Sequence, residues 1–449
     1  MLKRLTLLIL LFSFAEFSYP QASWSYLSTI PSGADISSIS VVDQNVIFVA
    51  AKGNGLFRSL NGGTTWELKN TGLAANGDLY GISATDSLNC WVGWLNTAGA
   101  PASLYRTTNG GTSWTLQWTM SGSFPDGIKM FTPDYGIFIG DPIGNGQPYQ
   151  FRSTTNAGAT WNLSPTAPVA SNEYGVINAF EYIDTSIIWV GSANTIATAT
   201  TAKIYRTTTG MNGTWSSTTI NGTAGTQGLY YQAIGFIDKN NGLAGSNSGD
   251  IVKSNDGGVT WTPVAPPNGE AAFGAIDMFG FKDGSNVIMM STVDATAYHC
   301  FKTTDLGTSW TELVLPTEAS TTGIQHMQFV NGSLGFAGGI AGVVIKYSTP
   351  TSVNPENNLI PADYKVSQNF PNPFNPSTVI NYQLPQSSYV SLKVYNSLGQ
   401  EVATLVNGFI SAGTHDVQFN ASNLSSGVYF YVIKAGDSFF QTKKMMLIK

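Results

Sequence analysis

Six carboxylates have the most chemical reach in this 449-residue chain: Asp35, Asp78, Asp126, Asp141, Glu173 and Asp277. Glycosidic bonds are hydrolysed by two such groups about 5–9.5 Å apart, one giving a proton and the other acting as base or nucleophile. No spacing here singles out a pair, and a carboxylate in a polar loop is by default solvated. The three histidines, His299, His326 and His415, are scattered, with no His-x-x-x-His or Cys-x-x-Cys spacing. No metal and no cofactor is therefore expected. His326, in QHMQF, reads as a strand residue near the same loops as the carboxylates. The aromatic set is Tyr80, Tyr174, Tyr230, Tyr231 and Phe273, all at the starts of short apolar segments. Rings beside amides and carboxylates such as Asp126 and Glu173 suit sugars or peptide segments, and the competing reading is that they pack a core.

The elements that must position these groups are β-strands. Only 11% of residues are charged, while glycine (48 residues), Thr, Ser, Asn and aromatics are abundant. That mix suits an all-β protein with many tight turns. A net charge of −6 without any basic stripe excludes a nucleic-acid partner, because phosphate binding needs clustered Lys and Arg. Lys3 and Arg4 precede an apolar run at 5–14 that is too short to span a bilayer. The pattern predicts an export signal over residues 1–22, read by the Sec translocon and cleaved after Ala22. The two cysteines, Cys90 and Cys300, fall in different repeats and are expected to stay buried and unpaired.

Those repeats are explicit. SLNGGTTW at 59–66 recurs as TTNGGTSW at 107–114, TTNAGATW at 154–161, SNDGGVTW at 254–261 and TTDLGTSW at 303–310, with a degenerate TTGMNGTW at 208–215. Asn61, Asn109, Asn156, Asp256 and Asp305 can each cap a turn by accepting backbone N–H bonds. The Gly two positions later permits a positive φ, and Trp66, Trp114, Trp161, Trp215, Trp261 and Trp310 supply large apolar anchors. In the degenerate copy Gly210 stands in the capping place. Trp spacings of 46 to 54 residues suit one four-stranded unit per repeat. A second marker, two short apolar strands joined at a polar turn, occurs seven times: around Asp43, Asp86, Asp134, Asp184, Asp238, Asp283 and Asn331. Seven hairpins against six Trp boxes predict a seven-bladed β-propeller over 23–349. Its last blade should be completed by the N-terminal strand carrying Trp24, which also removes an exposed edge.

These units resemble Asp-box repeats, the β-propeller repeats of sialidases, sortilin-type receptors, xyloglucanases and photosystem assembly factors. The resemblance implies the fold and leaves the activity open. A sialidase would clamp its substrate's carboxylate with three arginines. Here Arg58, Arg106, Arg152 and Arg206 all lie eight or nine residues before a box Trp, on equivalent third strands, which is a repeat feature.

After a polar, Pro-bearing linker at 350–362 come NFPNPFNP, YNSLGQEV, SGVYFYVI and KKMMLIK. These segments resemble the type A sorting domain of the type IX secretion system over 363–449, expected as a small Ig-like β-sandwich. The resemblance implies recognition by the type IX outer-membrane machinery and an extracellular or outer-membrane location. Loops between second and third strands vary widely in length, whereas hairpin and box turns do not, and variation confined to one face marks a binding face. The expectation is a monomeric, secreted or surface-bound, non-catalytic binding propeller for a glycan or protein ligand. Tyr80, Asp126, Glu173, Tyr174, Tyr230, Tyr231, Phe273 and His326 form its candidate site. A polysaccharide-degrading hydrolase using paired carboxylates is the alternative.

Overall fold

Alternating apolar segments between 23 and 348 fold into seven antiparallel four-stranded sheets in the computed structural model, which describes residues 22–99, 101–225, 227–267, 274–349, 363–385, 388–410, 413–436 and 439–449. The export segment up to residue 21, Phe273 and the linker at 350–362 lie outside the described residues. The chain divides into two compact units, 1–350 and 351–449. Six sheets are continuous in sequence, over 36–68, 77–120, 125–163, 173–221, 231–264 and 274–312. The seventh takes three strands from 324–348 and its fourth from Ser23–Thr29, which pairs antiparallel with Val343–Ser348 and sets Trp24 opposite Tyr347. The first strand of each sheet packs against the first strands of its neighbours, and the seventh packs against the first.

The repeated box is a hydrogen-bonded turn that also joins adjacent sheets. The hydroxyls of Ser59, Thr107, Thr154, Ser254 and Thr303 accept the N–H of the residue four positions on at 2.7–2.9 Å. Oδ1 of Asn61, Asn109, Asn156, Asp256 and Asp305 does the same at 2.8–3.0 Å. Gly63, at φ +83°, lies so close to the preceding sheet's outer strand that a Cβ would meet Leu27 at 2.5 Å. Beside it Trp66 Nε1 donates to Ser28 Oγ of that strand at 2.8 Å. Trp114 reaches back likewise to the Lys69 carbonyl at 2.6 Å. Trp114 and Trp161 are buried, whereas Trp66, Trp215, Trp261 and Trp310 are half-buried, so these rings act as anchors between sheets.

Two turns differ from the sequence expectation in register. In the degenerate box Thr209, not Gly210, does the capping: its Oγ1 accepts the Thr214 N–H at 2.9 Å. Gly210 instead donates to the Ser186 carbonyl, as Gly62 does to that of Asn45, so this copy carries one extra residue. In the third hairpin Thr132 Oγ1 accepts the N–H of Asp134 and Tyr135, the role Asp43 plays for Asn45 and Val46. Cys90 and Cys300 are buried and unpaired, in the second and sixth sheets.

The 351–449 unit has a three-stranded and a four-stranded sheet. Strict alternation in Ser388–Asn396 and Gly427–Ala435 sends Val390, Leu392, Val394, Tyr431 and Ile433 into one core. The NFPNPFNP motif ties the unit's start to its last strand. Phe374 is buried and exchanges backbone bonds with Met446 and Ile448, and Asn372 Oδ1 accepts the Met446 N–H at 2.9 Å. Asn369 is buried too, its N–H on the Tyr431 hydroxyl and its amide on Thr378.

The first strand of each of the seven sheets has no further strand to pair with on its inner edge. Backbone N–H groups there need acceptors, because an unpaired buried donor costs on the order of 1–3 kcal/mol. Side chains of neighbouring sheets supply them. Ser40 Oγ accepts from Ala84 N and Ser83 Oγ from Met130 N, both at 2.9 Å. Asp277 Oδ2 accepts from Met327 N at 2.7 Å, and Gln328 Oε1 from Val41 N at 3.0 Å. His326 joins this set, which corrects its placement among the ligand-binding candidates. Its Nδ1 accepts the Ile39 N–H at 3.1 Å, and burial pushes its pKa down to about 4, so it serves as a neutral acceptor between the seventh and first sheets.

Two outcomes follow from these contacts. Trp24 is enclosed, with its ring 5.4 Å from that of Tyr347 and 5.8 Å from that of Phe329. Trp24→Ala is expected to lower stability by about 3–5 kcal/mol, and deletion of 23–31 by more, read as the denaturant midpoint. An unchanged midpoint in the deletion would show that the strand is dispensable. Asp277 is 6% exposed, and burial, with a lesser push from Glu181, raises its carboxyl to about 7 against the pull of two backbone N–H groups. Between its ordinary value near 4 and about 7, the folded chain holds a proton that the unfolded chain has lost. This group's contribution to stability is therefore present at low pH and falls as pH rises through 7, by at most about 4 kcal/mol. Asn at 277 keeps an acceptor for Met327 without the charge. Asp277→Asn should match the parent near pH 4 and exceed it near pH 8 in urea melts; a difference independent of pH would contradict the assignment.

Candidate functional site

Each innermost strand carries an irregularity near its start. The antiparallel register slips between Ile36 and Ser38, Tyr80 and Ile82, Pro125 and Gly127, Tyr231 and Ala233, Ala275 and Asp277, and Ile324 and His326. A bulge re-aims the extra side chain out of the ladder. The extra residues are Ser37, Gly81, Asp126, Gln232, Ile276 and Gln325, and all except Gly81 line one cavity of about 590 Å³ at the variable-loop mouth of the central channel. Gly81 has φ +66°, a conformation that strains any other residue, and a Cβ there would approach Gly127 Cα at 3.2 Å.

The fourth sheet departs furthest. In Glu173–Tyr182 the register jumps from Gly175 to Phe180, and residues 176–179 leave the ladder. Asn178, at φ +59°, crosses the channel: its Nδ2 donates to the Ser37 carbonyl at 2.8 Å. Asn178 lines both this cavity and a second one of about 250 Å³ beyond it, so the protrusion is the floor of the first.

Of the expected site residues, Tyr80, Asp126, Tyr174 and Tyr230 line the mouth cavity. The Tyr80 ring lies 4.7 Å from that of Phe124. Tyr231 does not line it. Successive strand residues point to opposite sides, so with Tyr230 facing the cavity Tyr231 enters the core around Trp189 and Phe236. Glu173 is also turned inward. Its carboxylate takes the Tyr205 hydroxyl and the Lys203 ammonium, the latter at 2.7 Å, and it fixes the strand from behind. His326 belongs to the second cavity, and Phe273 lies outside the described residues. Asp35 pairs with Lys52 at 3.0 Å and accepts the Ala341 N–H, and Asp78 accepts the Gly53 N–H at 2.7 Å; both brace loops.

Asp126 and Asp141 converge on Gly175. Its N–H donates to Asp141 Oδ1, and a Cβ at 175 would meet Asp126 Oδ2 at 2.0 Å. Asp126 is 2% exposed and its Oδ2 has no hydrogen-bond partner, whereas Asp141 is half-buried at the cavity wall. Both carboxyls are held above the usual carboxylate range, by burial first and, for Asp126, by the charge of Asp141. Gln232, Gln325 and Asn178 were not among the expected site residues. The available signal was position: Ser37, Gln232 and Gln325 each stand six residues before the polar residue of their hairpin turn.

A comparison with the curated proteins finds no match. Among solved structures, YCF48 bound to D1 peptide is 19% identical, with a TM-score of 0.55 over 76% of this chain and 99% of that one. YCF48 from Cyanidioschyzon merolae is 17% identical, with a TM-score of 0.53 over 75% and 100%. The GH74 xyloglucanase from Xanthomonas campestris is 12% identical, with a TM-score of 0.53 over 72% of this chain and 53% of the enzyme. These likenesses establish a β-propeller fold. Residues 368–449 match the secretion system C-terminal sorting domain, which directs export through type IX secretion to the cell surface or extracellular space. Residues 18–348 match the photosynthesis system II assembly factor YCF48 family, and the chain belongs to that family.

Proposed function

We propose that this chain is an exported, non-catalytic binding propeller that seats an extended peptide segment in its mouth cavity. On this reading the seven sheets are the blades of one ring closed by the N-terminal strand, spanning 23–349. The unit at 363–449 is an Ig-like sandwich recognised by the type IX machinery, and residues 1–22 are a cleaved signal. The observation that carries the binding role is the lining of the cavity: half-buried Tyr80, Tyr174 and Tyr230 around the amides of Gln232 and Gln325 and the bulged backbone of the innermost strands. Rings supply apolar area at small entropic cost, and amides pair with a peptide backbone. A YCF48 structure holding a peptide supports the choice of ligand class.

The hydrolase alternative draws on the Asp126–Asp141 pair, whose raised pKa values could keep one acid protonated. Against it, Asp126 is 2% exposed and packed against Gly175. Binding by purified protein to a peptide array and a glycan array, beside an assay for release of reducing sugar from polysaccharides, tests both readings. Peptide hits without sugar release are expected. In Tyr174→Ala and Tyr230→Ala, affinity for a hit peptide should fall by about 1 kcal/mol each, about fivefold, with melting temperatures little changed. Normal binding combined with early melting would make these rings core, and sugar release would replace the binding role with a catalytic one.

A further inference from the structure

The chemistry of the mouth cavity narrows what it accepts. Among the described lining residues Lys52 is the one cation, and its ammonium is committed to Asp35 at 3.0 Å. The remaining acidic groups of the lining, apart from Asp35, are Asp126 and Asp141. Asp126 Oδ2 is buried without a partner, and Asp141 Oδ1 accepts the Gly175 N–H. A buried polar atom without a partner costs free energy that an incoming donor recovers. Aromatic residues line the same cavity as the pair. Tyr80 and Phe124 form a ring pair two residues from Asp126, and Tyr174 adjoins Gly175 with Tyr230 beyond it. Rings beside a carboxylate attract an organic cation through both the ring quadrupole and the charge. A metal ion would want more oxygen ligands, and among the described residues no group of three or more acidic, His or Cys side chains is placed to hold one.

We infer that the Asp126–Asp141 pair and the surrounding rings form a receptor for one primary ammonium or guanidinium group. It is carried as a Lys or Arg side chain by the bound peptide, an identification that rests on the peptide-binding reading. Asp141 makes the contact, and the buried Asp126 stands behind it. The aliphatic stem of the basic residue lies between Tyr80 and Tyr174.

The test is calorimetric titration of the whole protein with N-acetylated, C-amidated Gly-Gly-Lys-Gly-Gly, its arginine and norleucine counterparts blocked in the same way, and cadaverine as a free diamine. The Lys and Arg peptides are expected to bind at least tenfold more tightly than the norleucine peptide. Asp141→Asn keeps an oxygen for the Gly175 N–H and should abolish that preference while the protein still melts cooperatively. Cadaverine binding that depends on Asp141, with no peptide binding, supports the cation receptor and removes the peptide reading. Equal binding of the norleucine and Lys peptides overturns the cation receptor while leaving peptide binding intact. Because that comparison uses the unaltered protein, it decides the matter even if Asp141→Asn folds poorly.

Discussion

The structure depends on what happens to the inner edges of its sheets. Seven first strands meet around one channel, and each presents a row of N–H and C=O groups with no eighth partner strand. Such edges elsewhere recruit other chains. Here single side chains reaching from one sheet to the next meet part of that row, at four of the seven junctions: Ser40, Ser83, Asp277, His326 and Gln328 each accept a backbone N–H of the neighbouring first strand. The channel must therefore be walled by polar residues for reasons that have nothing to do with a ligand. Asp277 and His326 titrate far from their ordinary ranges because they are enclosed for this task.

The same crowding produces the candidate site. A bulge in each innermost strand lets the chain turn into the channel mouth, and the extra residue has nowhere to point except along the channel wall. Where the wall comes close to its neighbour the bulge residue is a glycine in a left-handed conformation, as at Gly81 against Gly127. Where it stands clear, the bulge delivers Ser37, Asp126, Gln232, Ile276 or Gln325 to the cavity. The fourth sheet extends the device to four residues, and Asn178 closes the channel by bonding to the opposite side of the ring.

What was legible in the sequence follows from this. The box turns are local: a hydroxyl, an Asn or Asp, a positive-φ glycine and a Trp at fixed offsets act within eight residues, so the string of letters carries them whole. The pairing of Ser23–Thr29 with Val343–Ser348 was legible as a shortage, one Trp box fewer than the hairpins. Bulges were not legible, because one extra residue in a six-residue strand leaves the apolar alternation on either side looking intact. Gln232, the extra residue of such a bulge, is therefore unmarked in the sequence, whereas Tyr231 is turned into the core by the ordinary alternation that sends Tyr230 to the cavity. His326 and Glu173 misled for a related reason. A polar residue in a strand signals a buried partner as readily as a ligand, and the partners, Ile39 and Lys203 with Tyr205, lie in other strands.

The two faces of the ring are consequently under different constraints. On the face of the box turns, Trp66 and Trp114 bond to the preceding sheet, and Gly63 lies in contact with it, so neither length nor composition can drift without parting two sheets. On the opposite face the ties between sheets run through individual loop residues: Asp35 accepts the Ala341 N–H, Asp78 the Gly53 N–H, and Trp94 Nε1 donates to Asn54 Oδ1. Loop length is free to vary only there, and there the bulged first strands open their cavity. The enclosed carboxyl of Asp126 fits this division poorly as structure: it sits on the permissive face, it gives Oδ2 no partner, and it forces Gly175 to remain a glycine. On the proposed reading, that desolvation, beside a second carboxyl and among the rings of the lining, is offset by what enters the cavity.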